Sequence, residues 1–219
     1  MLNDCSGVLK DCLCPVNKRF EIVDFARVEN PRLWERFRLY ESRVAAQFSQ
    51  LTANQQDASR TAIQSHEWLT KLSERNGLLS TLANTRYLLH GTTADCVESV
   101  VQHGLCCKYA LDASLYGQGI YFSNSSCKAW QYTGVEEEEG VVGVMILCRV
   151  ACGRVENLFL PDTDKTFARP KFHSARVIPQ KTKHHGGKQI HDEVVVYSNE
   201  AVYPEFIIRF KVAPKEEGG

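Results

Sequence analysis

The sequence predicts an α+β fold, and three of its features lead to that prediction. Helix-compatible segments are concentrated near the front of the chain, and short apolar, β-branched segments dominate the remainder. Strands and helices do not alternate as they do in βαβ units, which counts against a doubly wound sheet. With 219 residues the chain is long enough to bury a substantial core as one domain.

The composition is that of an ordinary globular protein and counts against several classes of function. Basic and acidic residues number 26 each, and this balance argues against bulk electrostatic capture of nucleic acid or anionic membrane. No apolar run is long enough to span a bilayer, and the first residues lack the blocks of a signal peptide. We therefore expect an intracellular protein, cytoplasmic or nuclear, that does not associate with membranes.

The nine cysteines predict neither a disulfide framework nor a zinc site. Their number is odd, and no two of them have the two-residue gap typical of zinc ribbons and fingers. Cys148 and Cys152 end an apolar segment, where thiols act as small hydrophobic groups. We interpret His184, His185 and His191, in or beside a Gly- and Lys-rich stretch, as surface residues and predict no bound metal.

The front of the chain predicts a strand followed by helices. Alternating apolar residues in "RFEIVDFARV" predict the strand, and Asn30 and Pro31 suit the N-cap and first position of a helix. Residues 51–80 are also helix-compatible, with Trp68 and Leu72 as expected packing points. The spacing of the large side chains in the first helix favours a core face over any cofactor role. These side chains are Leu33, Trp34, Phe37, Tyr40, Val44 and Phe48.

The segment "NTRYLLHGTTADCVESVVQHG" predicts a strand followed directly by a helix. The strand reaches His90 and Gly91, Thr92 or Thr93 caps the helix, and Gly104 closes it.

The rest of the chain is predicted to consist mainly of strands. In order, we expect a loop at 105–116, the strand "GIYF", a short helix near 123–133, the central strand "VVGVMILCRV", an exposed and mobile loop at 156–190, and the strands "EVVVYS" and "PEFIIRFKV" joined by a short turn.

Three parts of the sequence are candidates for a functional site, and the residues of each allow more than one role. Gly117 and Gly119 lack the third glycine of a dinucleotide fingerprint and the ending of a P-loop, which favours a tight turn or close approach of a ligand. His90 either projects a ring nitrogen into a cleft or bonds a backbone carbonyl in the core. Glu193 either lies in solvent at its strand end or faces a cleft with Val195.

In their order along the chain, "LLHGT", "YGQGIYF" and "EVVVYSNEAVYPEF" closely resemble motifs of the PARP-type, diphtheria-toxin-like ADP-ribosyltransferase catalytic domain. The segment "FEIVDFARVENPRLWERF" is similar to that family's opening strand and helix, and "VVYSNEAVYPEF" to its tankyrase-like branch. The resemblance covers residues 20–212 and implies two packed, mainly antiparallel sheets with flanking helices. We expect a poorly ordered lead at 1–18, the catalytic domain at 19–212 and a flexible tail at 213–219.

The resemblance implies NAD as the co-substrate. His90, Tyr121 and Glu193 match the family's His-Tyr-Glu triad and are the implied catalytic residues. A carboxylate fixed against the ribose would favour the oxocarbenium-like charge that develops as the bond to nicotinamide breaks. The residues implied to bind NAD are His90, Gly91, Thr92, Tyr121, Ala129 and Tyr132.

Individual roles are implied by the same resemblance. The backbone of Gly91 would pair with the nicotinamide carboxamide, and the ring of His90 would bond the adenosine ribose. Tyr121 and Tyr132 would hold the nicotinamide ring by stacking. Residues 156–190 would border the acceptor.

The chain also departs from the family pattern. Ala129 stands where the family has a serine that bonds the nicotinamide amide, and loss of one such bond, ~0.5–1.5 kcal/mol, lowers NAD affinity by up to about tenfold. The insertion "TGVEEEEGVVG" contains no Cys or His, so the tankyrase-type zinc ligands are absent. We see no room for the regulatory helical subdomain of DNA-responsive members and predict no DNA requirement.

We therefore expect transfer of ADP-ribose from NAD to protein side chains, including its own, as single units or polymer, by the catalytic part of a larger protein. One alternative, favoured by Ala129, is a non-catalytic or weakly NAD-binding interaction module of the same fold. Another is a hydrolase that gives ADP-ribose to water.

Overall fold

The computed structural model describes residues 18–63, 71, 79–109, 114–135, 141–178 and 192–214. Its strands are β1 (Lys18–Arg27), β2 (Thr85–Thr92), β3 (Ile120–Ser123), β4 (Val142–Ala151), β5 (Val155–Leu158), β6 (Ser174–Val177), β7 (Glu193–Val196) and β8 (Val202–Pro214). Its α-helices are α1 (Pro31–Phe48), α2 (Ala53–Ala62), α3 (Val97–His103) and α4 (Ser126–Trp130). Short 3-10 helices occupy Thr81–Ala83, Ala94–Cys96, Cys107–Tyr109 and Asn199–Ala201.

The strands form one hydrogen-bonded sheet in the order β1-β8-β4-β2-β3-β7-β6-β5. Neighbouring strands are antiparallel except β5 and β6, which are parallel. β2 and β3 meet at a single register pair, Leu89 opposite Ser123. The predicted α+β class with mainly antiparallel strands is confirmed. The two predicted sheets are corrected to one sheet of two halves, because this pair joins them.

The core lies against both halves of the sheet. β4 is apolar and β-branched, lies between β8 and β2, and is buried at every position from Gly143 onward, as predicted for a central strand. One apolar cluster combines Leu88 and Ile146 from the first half with Phe122 and Val194 from the second. Because each such side chain contributes about 1.5–3 kcal/mol when buried, the shared cluster holds the two halves together.

The first helix forms as its sequence predicts. The Asn30 side-chain oxygen accepts the Leu33 amide at 3.1 Å, and Pro31 takes the first helical position. Phe37 is fully buried, while Trp34 lies at the edge of the core against Tyr203, with ring centroids 5.0 Å apart. The core role assigned to this helix face is confirmed.

The exposed loop predicted over residues 156–190 is wrong where β5 and β6 form. β6 pairs with both β5 and β7, and Ala175 and Val177 are fully buried. The segments "VENL" and "SARV" are too short and too polar to show a strand period. Pairing with a distant strand, which local sequence does not specify, decides their structure.

The predicted start of the helix after β2 needs a smaller correction. Thr92 belongs to β2, and Thr93 precedes a 3-10 turn without a side-chain cap. The Thr93 hydroxyl lies 3.4 Å from the sulfur of Cys96 instead of bonding a free amide. Gly104 ends α3 as predicted, with φ of 81°.

Cys148 and Cys152 are buried free thiols, as predicted. Across the described residues, no helix is long and apolar enough to cross a membrane. Predictions for the lead at 1–17, Trp68, Leu72, the histidines at 184, 185 and 191, and residues 215–219 lie outside the described residues.

Candidate active site

A pocket lies at the junction between the two halves of the sheet. β2 and β3 pair only at Leu89 and Ser123, α4 packs against both strands, and β7 contributes its first residue. The residues that line the pocket are Leu89, Gly91, Tyr121, Phe122, Ser123, Lys128, Ala129, Tyr132 and Glu193.

Tyr121 is held in the pocket wall by both functions of its hydroxyl. The hydroxyl donates to the Gly117 carbonyl at 2.9 Å and accepts the Tyr116 amide at 3.0 Å. Burial is the main reason that the pKa of Tyr121 rises to about 12, so the phenol is neutral near pH 7. Its hydroxyl therefore anchors the ring to the preceding turn and is not free to act as a base.

The two glycines before β3 make that turn possible. Gly117 has φ of +83°, and a Cβ there would lie 1.9 Å from the Lys165 carbonyl oxygen. A Cβ at Gly119 would lie 2.3 Å from Cγ1 of Val195. Of the two predicted uses, a tight turn or close approach to a ligand, the structure has the turn, which packs against the protein itself.

His90 is tied to Tyr121 through the main chain. Its Nδ1 lies 2.9 Å from the Tyr121 carbonyl, which only accepts, so Nδ1 carries a proton. Burial lowers the pKa of His90 below its ordinary value, which favours the neutral ring near pH 7. The neutral ring then leaves Nε2 as a hydrogen-bond acceptor. His90 thus makes the carbonyl bond of the predicted core histidine, while it adjoins the pocket without lining it.

Gly91 allows α4 to approach β2 closely. A Cβ at this position would lie 1.8 Å from the Ala129 carbonyl oxygen and 3.1 Å from Cβ of Tyr132. β3 pairs with β2 only at Leu89, so among the described residues no β3 partner lies opposite Gly91. The bare backbone of Gly91 therefore borders the pocket directly.

Glu193 faces the pocket and not the solvent. It begins β7 opposite Ser123 and is only 6 % exposed. Its Oε1 lies 2.6 Å from Nζ of Lys128, and this ion pair offsets the cost of burying the carboxylate. Burial alone lowers the pKa of Lys128, but attraction to Glu193 and to Tyr132 outweighs burial and raises it. The ammonium therefore remains charged.

Lys128 is a charged lining residue that sequence reasoning missed. It lies one position before Ala129 and four before Tyr132, and its Nζ is 5.1 Å from the Tyr132 ring centroid. The available signal was helical spacing, because residues four apart share a helix face. A lysine on the same helix face as a predicted ring-stacking tyrosine was a candidate partner for the predicted carboxylate.

The remaining predicted residues lie at or near the pocket. Tyr132 is 43 % exposed at its mouth, and Ala129, without a hydroxyl, is a buried part of its lining. Thr92 pairs with Val144 at the end of β2 and does not line the pocket. Ser126, a serine three residues before Ala129, is buried and is not a lining residue.

Two phenol rings, one carboxylate and one ammonium thus line a single pocket. Such a site can bind a flat ring and favour positive charge near the carboxylate. The described residues contain no group of three or more His, Cys, Asp or Glu side chains placed to hold a metal.

Comparison with known families decides what kind of domain this is. A family model described as "Poly(ADP-ribose) polymerase catalytic domain" matches residues 3–212. This chain belongs to that family. Membership in the PARP family confirms the resemblance found in the sequence motifs and agrees with the α+β fold. At family level, the activity is ADP-ribosyl transfer and the substrate is NAD.

Individual relatives carry different names. Mouse protein mono-ADP-ribosyltransferase PARP4 is 31% identical over 148 residues, 64% of this chain and 7% of that protein. Human PARP4 is 29% identical over 150 residues, 65% of this chain and 9% of that protein. An Arabidopsis thaliana protein named probable inactive poly (ADP-ribose) polymerase SRO1 is 26% identical over 141 residues, 62% of this chain and 23% of that protein. The chain thus spans less than a tenth of the PARP4 proteins.

Within the PARP family, names alone do not decide the chemistry of this chain. Relatives named as transferases and one named as probable inactive both match it. The nearer likeness to the tankyrase branch stays a prediction.

Proposed function

We propose that this domain cleaves the bond between nicotinamide and ribose in NAD and transfers ADP-ribose to protein side chains. One observation carries the proposal: the buried carboxylate of Glu193, paired with Lys128, lines the same pocket as Tyr121 and Tyr132. Membership in the PARP family supports the same reaction.

Glu193 has the chemistry that this reaction needs. The bond from the ribose C1′ to nicotinamide breaks, its electron pair leaves with nicotinamide, and positive charge develops on the sugar. The acceptor's nucleophilic atom forms the new bond to C1′ and loses its proton. A buried carboxylate favours the developing charge more than the ground state, and low solvent exposure strengthens that effect.

The other residues bind and orient NAD in this proposal. The rings of Tyr121 and Tyr132 hold the nicotinamide, and the backbone of Gly91 pairs with its carboxamide. Nε2 of the neutral His90 accepts a hydrogen bond from a ribose hydroxyl, which agrees with the proton on Nδ1. We include Thr92 and Ala129 in the NAD-binding set, with Ala129 contributing contact but no hydrogen bond.

The same proposal includes the partners of the domain. Its acceptors are proteins, including the chain itself, and its activity does not require DNA. We place it within a larger protein, which the small share of PARP4 that it spans supports, and we propose the cytoplasm or nucleus as its compartment.

A second candidate function is a module of the same fold that binds NAD weakly, or only a protein partner, without catalysis. Ala129 favours it, because the pocket lacks one hydroxyl there. The relative named probable inactive favours it as well.

The test uses NAD labelled on its adenosine, with the wild-type chain and Glu193→Gln. The substitution keeps the size of the side chain and removes its charge. We expect labelled protein and released nicotinamide from the wild type, and about a hundredfold less of both from Glu193→Gln. Glu200→Gln is the control, because Glu200 is only partly buried and pairs with Arg36 outside the pocket.

The possible outcomes distinguish the candidate functions. Equal activity of wild type and Glu193→Gln contradicts the role of the carboxylate. Nicotinamide release without labelled protein indicates hydrolysis, and calorimetric binding of NAD without release indicates the non-catalytic module. On a denaturing gel, an upward smear indicates polymer and a discrete band indicates single units.

A further inference from the structure

Glu156 is a buried carboxylate that lies outside the pocket. It is 1 % exposed on β5, and its polar contacts with described residues are to Lys165 and Arg169, which are not in the pocket lining. Its Oε1 lies 3.1 Å from Nζ of Lys165 and accepts the Arg169 amide at 3.0 Å. Its Oε2 accepts Nε of Arg169 at 2.6 Å. The segment that follows β5 is thereby folded back onto that strand.

Lys165 connects this carboxylate to the turn before β3. Its side chain is 9 % exposed and bonds Glu156, while its carbonyl accepts the Gln118 amide at 2.8 Å. The same carbonyl oxygen would lie 1.9 Å from a Cβ at Gly117. A further backbone bond, from the Asp162 amide to the Leu115 carbonyl at 2.8 Å, joins the same two segments. The turn therefore packs against a main chain that Glu156 holds.

The turn at 116–119 holds Tyr121. The Gly117 carbonyl accepts the Tyr121 hydroxyl at 2.9 Å, and the Tyr116 amide donates to that hydroxyl at 3.0 Å. A continuous path thus runs from the buried carboxylate through Lys165 and the turn to a ring in the pocket wall.

We propose that Glu156 is a positioning residue for Tyr121, acting through Lys165 and the turn at 116–119. The inference rests on the proposed function, because it assigns Tyr121 to the binding of the nicotinamide ring. A carboxylate this deeply buried needs its cations, and the cations tie the loop to the sheet. Neutralising it releases the loop, the turn and the ring together.

The first test compares NAD kinetics of two variants, Lys165→Met, whose side chain is 9 % exposed, and Arg169→Met, whose side chain is 62 % exposed. Each removes one cation from the same carboxylate, but only Lys165 carries the carbonyl that contacts the turn. Tyr121 contacts nicotinamide before and during bond cleavage, so misplacing it weakens both states alike. We expect KM for NAD to rise about fivefold to tenfold in Lys165→Met with kcat unchanged, and to change less than about twofold in Arg169→Met.

The second test asks whether Glu156 acts through the Tyr121 hydroxyl. Tyr121→Phe breaks the last bond of the path, so adding Glu156→Gln to it should raise KM no further. Glu205→Gln is the control for loss of a buried carboxylate, because Glu205 is equally buried but pairs with Arg149 and not with the turn. Its effect on KM should be small and additive to Tyr121→Phe.

The third test needs no NAD and separates failure of this inference from failure of the proposed function. In ligand-free protein, hydrogen exchange at the Gln118 amide should be at least tenfold faster in Glu156→Gln than in wild type, and unchanged in Glu205→Gln. Lys165→Met gives the same readout if Glu156→Gln does not fold.

The outcomes for the function and for the positioning path are distinct. An inactive wild type with faster exchange in the variants contradicts the function and retains the positioning path. An active wild type whose KM and Gln118 exchange are both unaffected by Lys165→Met overturns the inference. Equal KM changes in Lys165→Met and Arg169→Met also overturn it, because they indicate general loosening of the loop.

Discussion

Replacing Lys128 with methionine removes the only charge that a described contact places beside the proposed catalytic carboxylate. Nζ of Lys128 and Oε1 of Glu193 are 2.6 Å apart, and their side chains are 18 % and 7 % exposed. Methionine keeps the length and apolar stem of lysine. We expect Lys128→Met to leave Glu193 buried and uncompensated, which destabilises the fold and misplaces the carboxylate.

The size of the effect depends on burial. Exposed ion pairs contribute about 0–1 kcal/mol, whereas removing one partner of a fully buried pair costs about 3–5 kcal/mol. Lys128 is partly exposed, so we expect a loss of about 2–3 kcal/mol in the free energy of unfolding. Because a displacement of about 1 Å at a reacting group can cost about a hundredfold in rate, nicotinamide release should fall by about that factor.

The assays are urea denaturation and nicotinamide release, each with a matched control. The pair between Arg36 and Glu200 has the same 2.6 Å separation, but its side chains are 45 % and 35 % exposed. Arg36→Met should therefore cost at most about 1 kcal/mol and leave the rate unchanged. Lys128→Arg keeps the charge and should retain most of the stability.

A double-mutant cycle supplies the refuting result. The double variant Lys128→Met with Glu193→Gln has no uncompensated carboxylate. Its loss in the free energy of unfolding should therefore be about 1–2 kcal/mol smaller than the sum of the losses in the two single variants. Strict additivity of the two losses, or equal losses for Lys128→Met and Arg36→Met, would show that burial does not strengthen this pair.

Two further predictions concern the pocket and its pH dependence. Ala129→Ser restores a hydroxyl to the pocket lining and should tighten NAD binding by up to about tenfold in calorimetric titration, from one added hydrogen bond of ~0.5–1.5 kcal/mol; an unchanged or weaker Kd contradicts this. Burial lowers the pKa of His90 and His173 from 6.5, so the unfolded chain binds the extra protons as pH falls below that value. Stability should therefore fall as pH drops below about 6.5, by at most about 1.4 kcal/mol per pH unit for each histidine, and His90→Asn should flatten the urea midpoint profile.

Elements with long, strongly patterned sequences were predictable from the sequence. α1 has an N-cap, a proline at its first position and an apolar face at helical spacing, and β4 is a continuous apolar run. Local preference and burial agree in both, so each forms where its pattern indicates. β5 and β6 were missed because their four-residue segments are too polar to show a strand period, and their pairing with distant segments decides their structure.

The candidate site was predictable one residue at a time. Motif order identified Gly91, Tyr121 and Glu193, and all three line one pocket. Lys128 and Glu156 were missed because each acts through an ion pair with a residue elsewhere in the chain, which no local pattern indicates. Thr92 was included from its motif; it follows the lining residue Gly91 on β2 but is not itself in the lining.

The sequence by itself determined the family, the α+β class and the set of residues to consider for chemistry. Only the tertiary structure decided that Glu193 faces the pocket, that Lys128 accompanies it, and that Glu156 lies behind the turn that holds Tyr121. The physical reason is that a local sequence pattern specifies backbone preference and the spacing of apolar residues. Burial and pairing of a charge depend instead on which distant segment becomes its neighbour, and here the register of β3 against β7 sets that neighbour.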